Sequence, residues 1–289
     1  MSHPLARVIV GADDAPTLML LHGITASAVS QTDAIDHWAA LGYRVVAVDA
    51  RGHGLSPRWT PQELERAGEV LVDDAVAVLE DLLVQARGRR ALDLVAAPPP
   101  VVVGHSMGAA TAMVVGGRRP ELVSGVVLLD PARYGSRGPA ELLARGAARE
   151  RARAAELADP AAAVARALDD VEIPDSEAVA GVWASQRMDP ALLRTGVVAP
   201  EVEWAEAMAA LAVPALLVTG DRPGAARVGP EGLEVVRRIA NPGVTTALVP
   251  GAAHDVRRTR PGGFYDVVDP WLAGMLRPRE SERGPADGA

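Results

Sequence analysis

The run Val101-Val102-Val103 leads directly into Gly104-His105-Ser106-Met107-Gly108, and small residues follow at Ala109, Ala110, Thr111 and Ala112. A short block of β-branched residues reads as a buried strand. The small residues after it suit a helix packed tightly on that strand. A Gly-x-Ser-x-Gly junction of this kind leaves the chain few ways to fold. The two glycines remove Cβ atoms that would strike the neighbouring strand and helix, and the serine is left in strained backbone at the tip of the turn. Its hydroxyl is lifted into a cleft at a helix N-terminus, where backbone N–H groups can stabilise an oxyanion. An incidental serine in a glycine-rich junction is the plain alternative. The strand before it and the helix after it favour Ser106 as a nucleophile.

The same alternation extends along the chain. Strands are expected over 7–10, 17–21, 44–48, 101–103, 125–129, 215–219 and 245–249, and most are continuously apolar, as strands covered on both faces should be. Helices are expected over 32–40, 61–85, 107–118, 231–239 and 264–275. In the second, Leu64, Val70, Leu71, Ala75, Val78, Leu79 and Leu82 follow helical spacing, and Pro61 suits a first turn. The expected class is α/β: a mostly parallel central sheet with helices on both faces.

The alternation stops over 133–211, a stretch rich in Ala, Glu and Arg that breaks into helical pieces at 140–157, 161–168, 176–187 and 201–211. The expected organisation is therefore a core of 1–132 and 212–276, a helical lid of 133–211, and a disordered tail of 277–289. The Ala96-Ala97-Pro98-Pro99-Pro100 segment reads as a stiff structural loop before the nucleophile strand.

Bulk properties narrow the chemistry. The 289 residues contain no cysteine, which excludes disulfides, thiol catalysis and thiolate metal sites. A net charge of −8 without a basic tract argues against nucleic acid as a partner. The N-terminal stretch has no signal-peptide apolar core, and no apolar run is long enough to span a bilayer. A cytoplasmic protein acting on a small molecule, with no membrane partner, metal or organic cofactor, is the expectation. The oligomeric state is not legible.

Acyl transfer needs two donors aimed at the developing oxyanion. His22-Gly23-Ile24 at the end of an early strand supplies one candidate, the N–H of Ile24, and the N–H of Met107 supplies the other. The base should be a histidine, the side chain that titrates near neutrality. His3 is terminal, His37 lies on an expected helix, and His22 and His105 read as backbone supports inside their motifs. His53 lies in the polar loop Asp49-Ala50-Arg51-Gly52-His53-Gly54-Leu55-Ser56. His254 follows the last strand in Val249-Pro250-Gly251-Ala252-Ala253-His254-Asp255 and can reach a serine at the sheet centre. The acid should end a strand between serine and histidine in sequence. Two residues qualify: Asp130, before Pro131, and Asp221, after Gly220.

Taken in order, His22-Gly23, the 49–56 loop, Gly104–Gly108, Asp130-Pro131, Gly220-Asp221 and His254 resemble the α/β-hydrolase superfamily over about residues 5–276. The resemblance implies a serine nucleophile at Ser106, a base at His254, oxyanion donors at Ile24 and Met107, and a lid where the helical insertion stands. Members that take the acid from the later strand usually place it three residues after the glycine. That position here is Pro223, and Asp221 stands where members vary freely. Others take the acid from the preceding strand, which favours Asp130 with Asp221 as the alternative.

The expected activity is serine-dependent cleavage of an ester or lactone of an apolar small molecule. Trp183, Met188, Trp204 and Met208 give the insertion apolar mass and are its candidate substrate-binding residues. The arginine-rich stretch 145–153 reads as a solvated helix face in preference to an anion site. The alternatives are carbon–carbon bond hydrolysis, cofactor-free perhydrolysis of the haloperoxidase kind, and a non-catalytic small-molecule binding module. An epoxide or haloalkane hydrolase is disfavoured because its elbow would carry aspartate.

Overall fold

A computed structural model describes residues 4–90, 98–133 and 138–276. The central block comprises β1 (Arg7–Val10), β2 (Thr17–Leu21), β3 (Arg44–Val48), β4 (Val101–His105), β5 (Gly125–Leu129), β6 (Ala215–Gly220) and β7 (Val244–Val249). These form one seven-stranded sheet in the order β1-β3-β2-β4-β5-β6-β7. β1 runs antiparallel to β3 at the edge, and each of the other neighbouring pairs is parallel. This is the α/β class expected from the alternation, and the strands fall on the apolar runs.

The helices are α1 (Thr32–Ala40), α2 (Pro61–Leu64), α3 (Ala67–Arg90), α4 (Met107–Arg118), α5 (Pro139–Glu156), α6 (Pro160–Asp169), α7 (Asp175–Arg187), α8 (Pro190–Thr195), α9 (Trp204–Ala209), α10 (Gly229–Ile239), α11 (Val256–Thr259) and α12 (Pro261–Leu276). Successive strand residues point to opposite faces, so each buried strand feeds two cores. Met19, Leu21, Val102, Val126, Leu128 and Leu217 pack with α3, α4, α9 and α10. Leu18, Leu20, Val101, Val103, Val127 and Val218 pack on the other face with Ile35 and Trp38 of α1 and Phe264, Val268 and Leu272 of α12.

Three differences from the sequence expectation have local causes. The helix expected over 61–85 is two helices. Thr60 and Glu63 form a capping box around a single short turn, and the chain restarts at Ala67. There Gly68 accepts the close approach of Pro200, whose Cα would lie 2.8 Å from an added Cβ. Helix α8 was not expected. It is six residues long, too short for periodicity to show, although Asp189 caps it, Pro190 opens it and Gly196 closes it at φ +73°. Finally, the 133–211 stretch is not uniformly apart from the core. Trp204, Ala207, Met208 and Leu211 are members of the core cluster shared with β5, β6 and α4. The expected tail over 277–289 lies outside the described residues, as do His3, Ala96 and Ala97. Pro99 and Pro100 present their carbonyls to the Ser124 hydroxyl and amide.

The turn from β4 to α4 is tightly packed. A Cβ on Gly104 would stand 2.4 Å from the Gly108 carbonyl oxygen, and one on Gly108 would stand 2.1 Å from the Leu21 carbonyl oxygen. Both clashes are with backbone, which cannot swing aside. Gly108→Ala is therefore expected to cost at least about 2 kcal/mol of stability, at the upper part of the overpacking range. Urea denaturation of the two proteins checks it.

Candidate active site

Ser106 sits at φ 52°, ψ −109°, between β4 and α4. Backbone in this region costs roughly 1–3 kcal/mol and persists where its surroundings enforce it. Here they do: the Ser106 amide donates to the Leu129 carbonyl, and its carbonyl accepts from the Ala110 and Ala132 amides. The side chain is buried yet within reach of a histidine. The His254 ring, carried on the loop after β7, places Nε2 2.9 Å from Ser106 Oγ. Its Nδ1 lies 2.6 Å from Asp130 Oδ2.

Asp130 ends β5 at φ +39°, with its amide donating to the Val218 carbonyl of β6. Its carboxylate is fully buried and fully partnered. Oδ2 accepts from the Arg227 amide at 2.7 Å besides meeting His254. Oδ1 accepts from the Thr219 hydroxyl at 2.6 Å and the Val228 amide at 2.9 Å. Burial alone would raise its pKa, but the hydrogen bonds from His254, Thr219 and the two amides outweigh burial and hold it below the usual carboxylate value. Asp130 therefore remains a carboxylate facing the imidazole.

Asp221 is spent elsewhere. Its Oδ1 accepts from the Gly251 amide at 2.6 Å, and the Arg222 amide donates to the Ala252 carbonyl. These bonds tie the end of β6 to the loop that carries His254. The Arg222 guanidinium pairs with Glu172 rather than with Asp221.

The other histidines hold backbone. His22 Nε2 accepts from the Ala50 amide at 3.0 Å, which leaves Nδ1 protonated to donate to the Gly23 carbonyl at 2.7 Å. That clip joins the turn after β2 to the 49–56 loop. The loop is itself organised by Asp49, whose carboxylate accepts from the Ala28 and Leu55 amides. His105 directs Nε2 at the His254 carbonyl, 3.1 Å away, and His53 Nδ1 lies 3.0 Å from the Arg51 carbonyl. His37 pairs with Asp269 on the far side of α1. The turn carrying Ile24 abuts the nucleophile: an added Cβ on Gly23 would stand 3.3 Å from Ser106 Cβ. Met107 opens α4, so its amide is one of the N-terminal donors that lack an intrahelical partner.

A cavity of about 380 Å³ opens beside this cluster. Gly23, Ile24 and His105 line it, with Leu20, Trp38, Val103 and Leu129 on the sheet side and α6 and α7 across from them. Its charged wall was not foreseen. Glu177 of α7, whose side chain is fully buried, accepts from Arg257, Arg258 and the Asp33 amide. The partners lie 80 and 81 residues away in sequence, so no local pattern announces them.

The four residues expected to bind substrate do not line this cavity. Trp204 and Met208 belong to the core between the sheet, α4 and α10, where the short helix α9 docks. Met188 packs with Trp59, Leu71, Met107 and Leu192. Trp183 is half-buried on α7 away from the cavity lining. Large apolar residues gain most by full burial, and here the core takes them. Within the arginine-rich stretch, Arg153 donates to the Ser185 and Met188 carbonyls at the end of α7, a helix-terminus contact and not a solvated one.

The family follows from comparison with known proteins. A model of the serine aminopeptidase S33 hydrolase family matches residues 13–258. The chain belongs to that family of α/β-hydrolases. The S33-family chain is 28% identical over 274 residues to a monoacylglycerol lipase of Mycolicibacterium smegmatis, across 91% of this chain and 90% of the relative. It is 38% identical over 112 residues to epoxide hydrolase B of Mycobacterium tuberculosis, a match spanning 39% of this chain but 28% of that protein's length. Its fold is shared with an esterase of Thermogutta terrifontis (TM-score 0.69, 18% identity, 94% of each chain). The fold also matches E-2-(acetamidomethylene)succinate hydrolase (TM-score 0.68, 22% identity, 94% of each chain). Among the described residues, no helix is long and apolar enough to cross a membrane.

The buried histidines of this S33-family chain give it a pH signature. Burial lowers His53 to about 3, with the His22 ring adding to it, and lowers His105 to about 4 against the opposing pull of Asp255, from an ordinary 6.5. Between those values and 6.5 the unfolded chain binds protons that the folded chain refuses, so stability rises with pH in that window. Melting temperature is expected to fall as pH drops from about 6.5 toward 4.5. A scan of Tm across this range tests it, and a flat profile contradicts it.

Proposed function

We propose that this protein is a serine hydrolase that cleaves an ester of a small molecule through an acyl-enzyme. The observation that carries the reading is the continuous hydrogen-bonded line from Ser106 Oγ through His254 to the Asp130 carboxylate, with steps of 2.9 and 2.6 Å. Nucleophile, base and orienting acid within hydrogen-bond reach of one another are what activation of a serine hydroxyl requires.

In this reading His254 Nε2 takes the Ser106 proton as Oγ attacks the acyl carbon. The carbonyl oxygen becomes an oxyanion held by the amides of Ile24 and Met107. The tetrahedral intermediate expels the alcohol, which leaves with the proton from His254. Water then attacks the acyl-enzyme, giving up a proton to His254, and the acid product departs as Ser106 recovers its hydrogen. Asp130, held as a carboxylate, keeps Nδ1–H donating so that Nε2 is free to accept, and it stabilises the imidazolium when the proton arrives. No cofactor enters this cycle. The helical stretch 133–211 acts as the lid in this reading, with α6 and α7 lining the cavity beside the site. Within it, helix α9 packs with the core.

Small-molecule pockets run from about 300 to 1,000 Å³. The 380 Å³ cavity beside Ser106 lies near the lower end, which favours a compact substrate. A serine at the elbow supports ester cleavage over epoxide opening, despite the partial match to epoxide hydrolase B.

Two sets of variants test the assignment on a p-nitrophenyl acetate assay. Ser106→Ala should retain the fold and lose turnover by at least about a thousandfold, leaving the residual rate of binding and oxyanion stabilisation. Asp130→Asn should lower kcat on the order of a thousandfold with little change in KM, because the amide favours the wrong imidazole tautomer. Asp221→Asn should act mildly, chiefly on the Gly251 contact. A larger loss from Asp221→Asn than from Asp130→Asn would reverse the roles of the two carboxylates.

A further inference from the structure

The cavity beside Ser106 has a lid wall with an unfilled position. On α7, Ala178, Gly181, Val182 and Ser185 fall three, four and seven residues along one helical face, and all four line the cavity. A Cβ built on Gly181 meets nothing within 4 Å, so it would project into open space. Gly181 has no need of a glycine's backbone freedom, since it lies mid-helix with ordinary right-handed geometry. Mid-helix glycine is unfavourable relative to other residues. What its missing side chain provides here is volume.

The wall cannot easily retreat to make more room. Glu177, one turn before Gly181, is clamped by Arg257 Nη2 at 2.9 Å, Arg258 Nε at 2.7 Å and the Asp33 amide at 3.1 Å. Arg257 is held in turn by Asp33, and Arg258 by Asp255 and the Ser30 carbonyl. Opposite α7 stand Leu20, Val103 and Leu129 from the sheet ends and Trp38 from α1, all packed within the core. The cavity is thus a held space with an apolar floor and a wall that carries Glu177, Asp255, Arg257 and Arg258.

Its position also selects which half of an ester it takes. The leaving alcohol must reach His254 Nε2 to be protonated, and neither His254 nor Ser106 lines the cavity. Gly23, Ile24 and His105 do. The cavity therefore adjoins the turn of the proposed oxyanion donor Ile24, with Asp255, the residue after His254, also in its lining.

We propose that this cavity receives the acyl group of the substrate, a chain or ring of up to roughly a dozen non-hydrogen atoms lying on the apolar floor, and that Gly181 sets its upper size. The size follows from 380 Å³ at about 30 Å³ for each water-sized group. This rests on the ester-hydrolase reading above.

The test uses two substrate series on the wild-type protein, Gly181→Ala and Gly181→Leu. One series holds the p-nitrophenol leaving group and lengthens the acyl chain from acetate through octanoate to palmitate. The other holds acetate and enlarges the alcohol. Wild type should favour medium chains and discriminate against palmitate. Gly181→Leu should lower kcat/KM for octanoate at least tenfold while leaving acetate within about threefold, with Gly181→Ala between, and the alcohol series should be unchanged. Helix propensity favours both replacements, so melting temperature should hold or rise and a folding defect would not mimic the result. An unchanged acyl profile, a change confined to the alcohol series, or a wild type that prefers palmitate overturns the proposal. If no ester is turned over and Ser106 fails to react with a fluorophosphonate, the hydrolase reading falls and this proposal falls with it.

Discussion

Backbone of α4 and backbone of β2 touch where Gly108 meets the Leu21 carbonyl, and the arrangement of the site depends on that contact. It permits the elbow to close. With it closed, Ser106 is forced to positive φ, the Met107 amide starts a helix beside it, and the turn after β2 brings Gly23 against the serine. The three features that the proposed acyl chemistry would use (a raised hydroxyl, a helix-terminal amide and the adjacent loop) thus share one steric cause.

Around that fixed point the protein builds outward through fully satisfied polar groups. The Asp130 carboxylate is inaccessible to solvent, a costly place for a charge unless it is paired and hydrogen-bonded. Four partners from β6, the chain before α10 and the His254 loop meet that need. The same bonds lock the carboxylate's direction, so its strain at φ +39° coexists with a single orientation toward His254. Asp221, His22 and His105 act one layer further out by holding the loops that carry His254 and Ile24.

The sequence was most informative where the cause of structure is local. Continuous apolar runs marked most of the strands, because a strand covered on both faces must be apolar at every position. The glycines around Ser106 marked the elbow because only a missing Cβ permits it. Pro223 directed attention to Asp130, the carboxylate that the structure brings to His254. Less was legible where partners come from distant segments. The Glu177 clamp joins α7 to residues 80 positions on, and nothing near Glu177 signals it. Nor does composition reveal which face of α7 looks into a cavity. Trp204 and Met208 were attractive as pocket residues because they are large and apolar, and for the same reason the core holds them, while a glycine and two small residues face the open space.

The central claim is that Ser106 is a nucleophile activated by His254. Intact-mass and peptide analysis after incubation with a fluorophosphonate measures it most directly, because the reagent reacts only with an activated hydroxyl. One adduct per chain, located on Ser106, formed slowly or not at all in His254→Ala and absent in Ser106→Ala, is the predicted result. An adduct on another serine, or labelling of Ser106 at an equal rate without His254, would contradict the account.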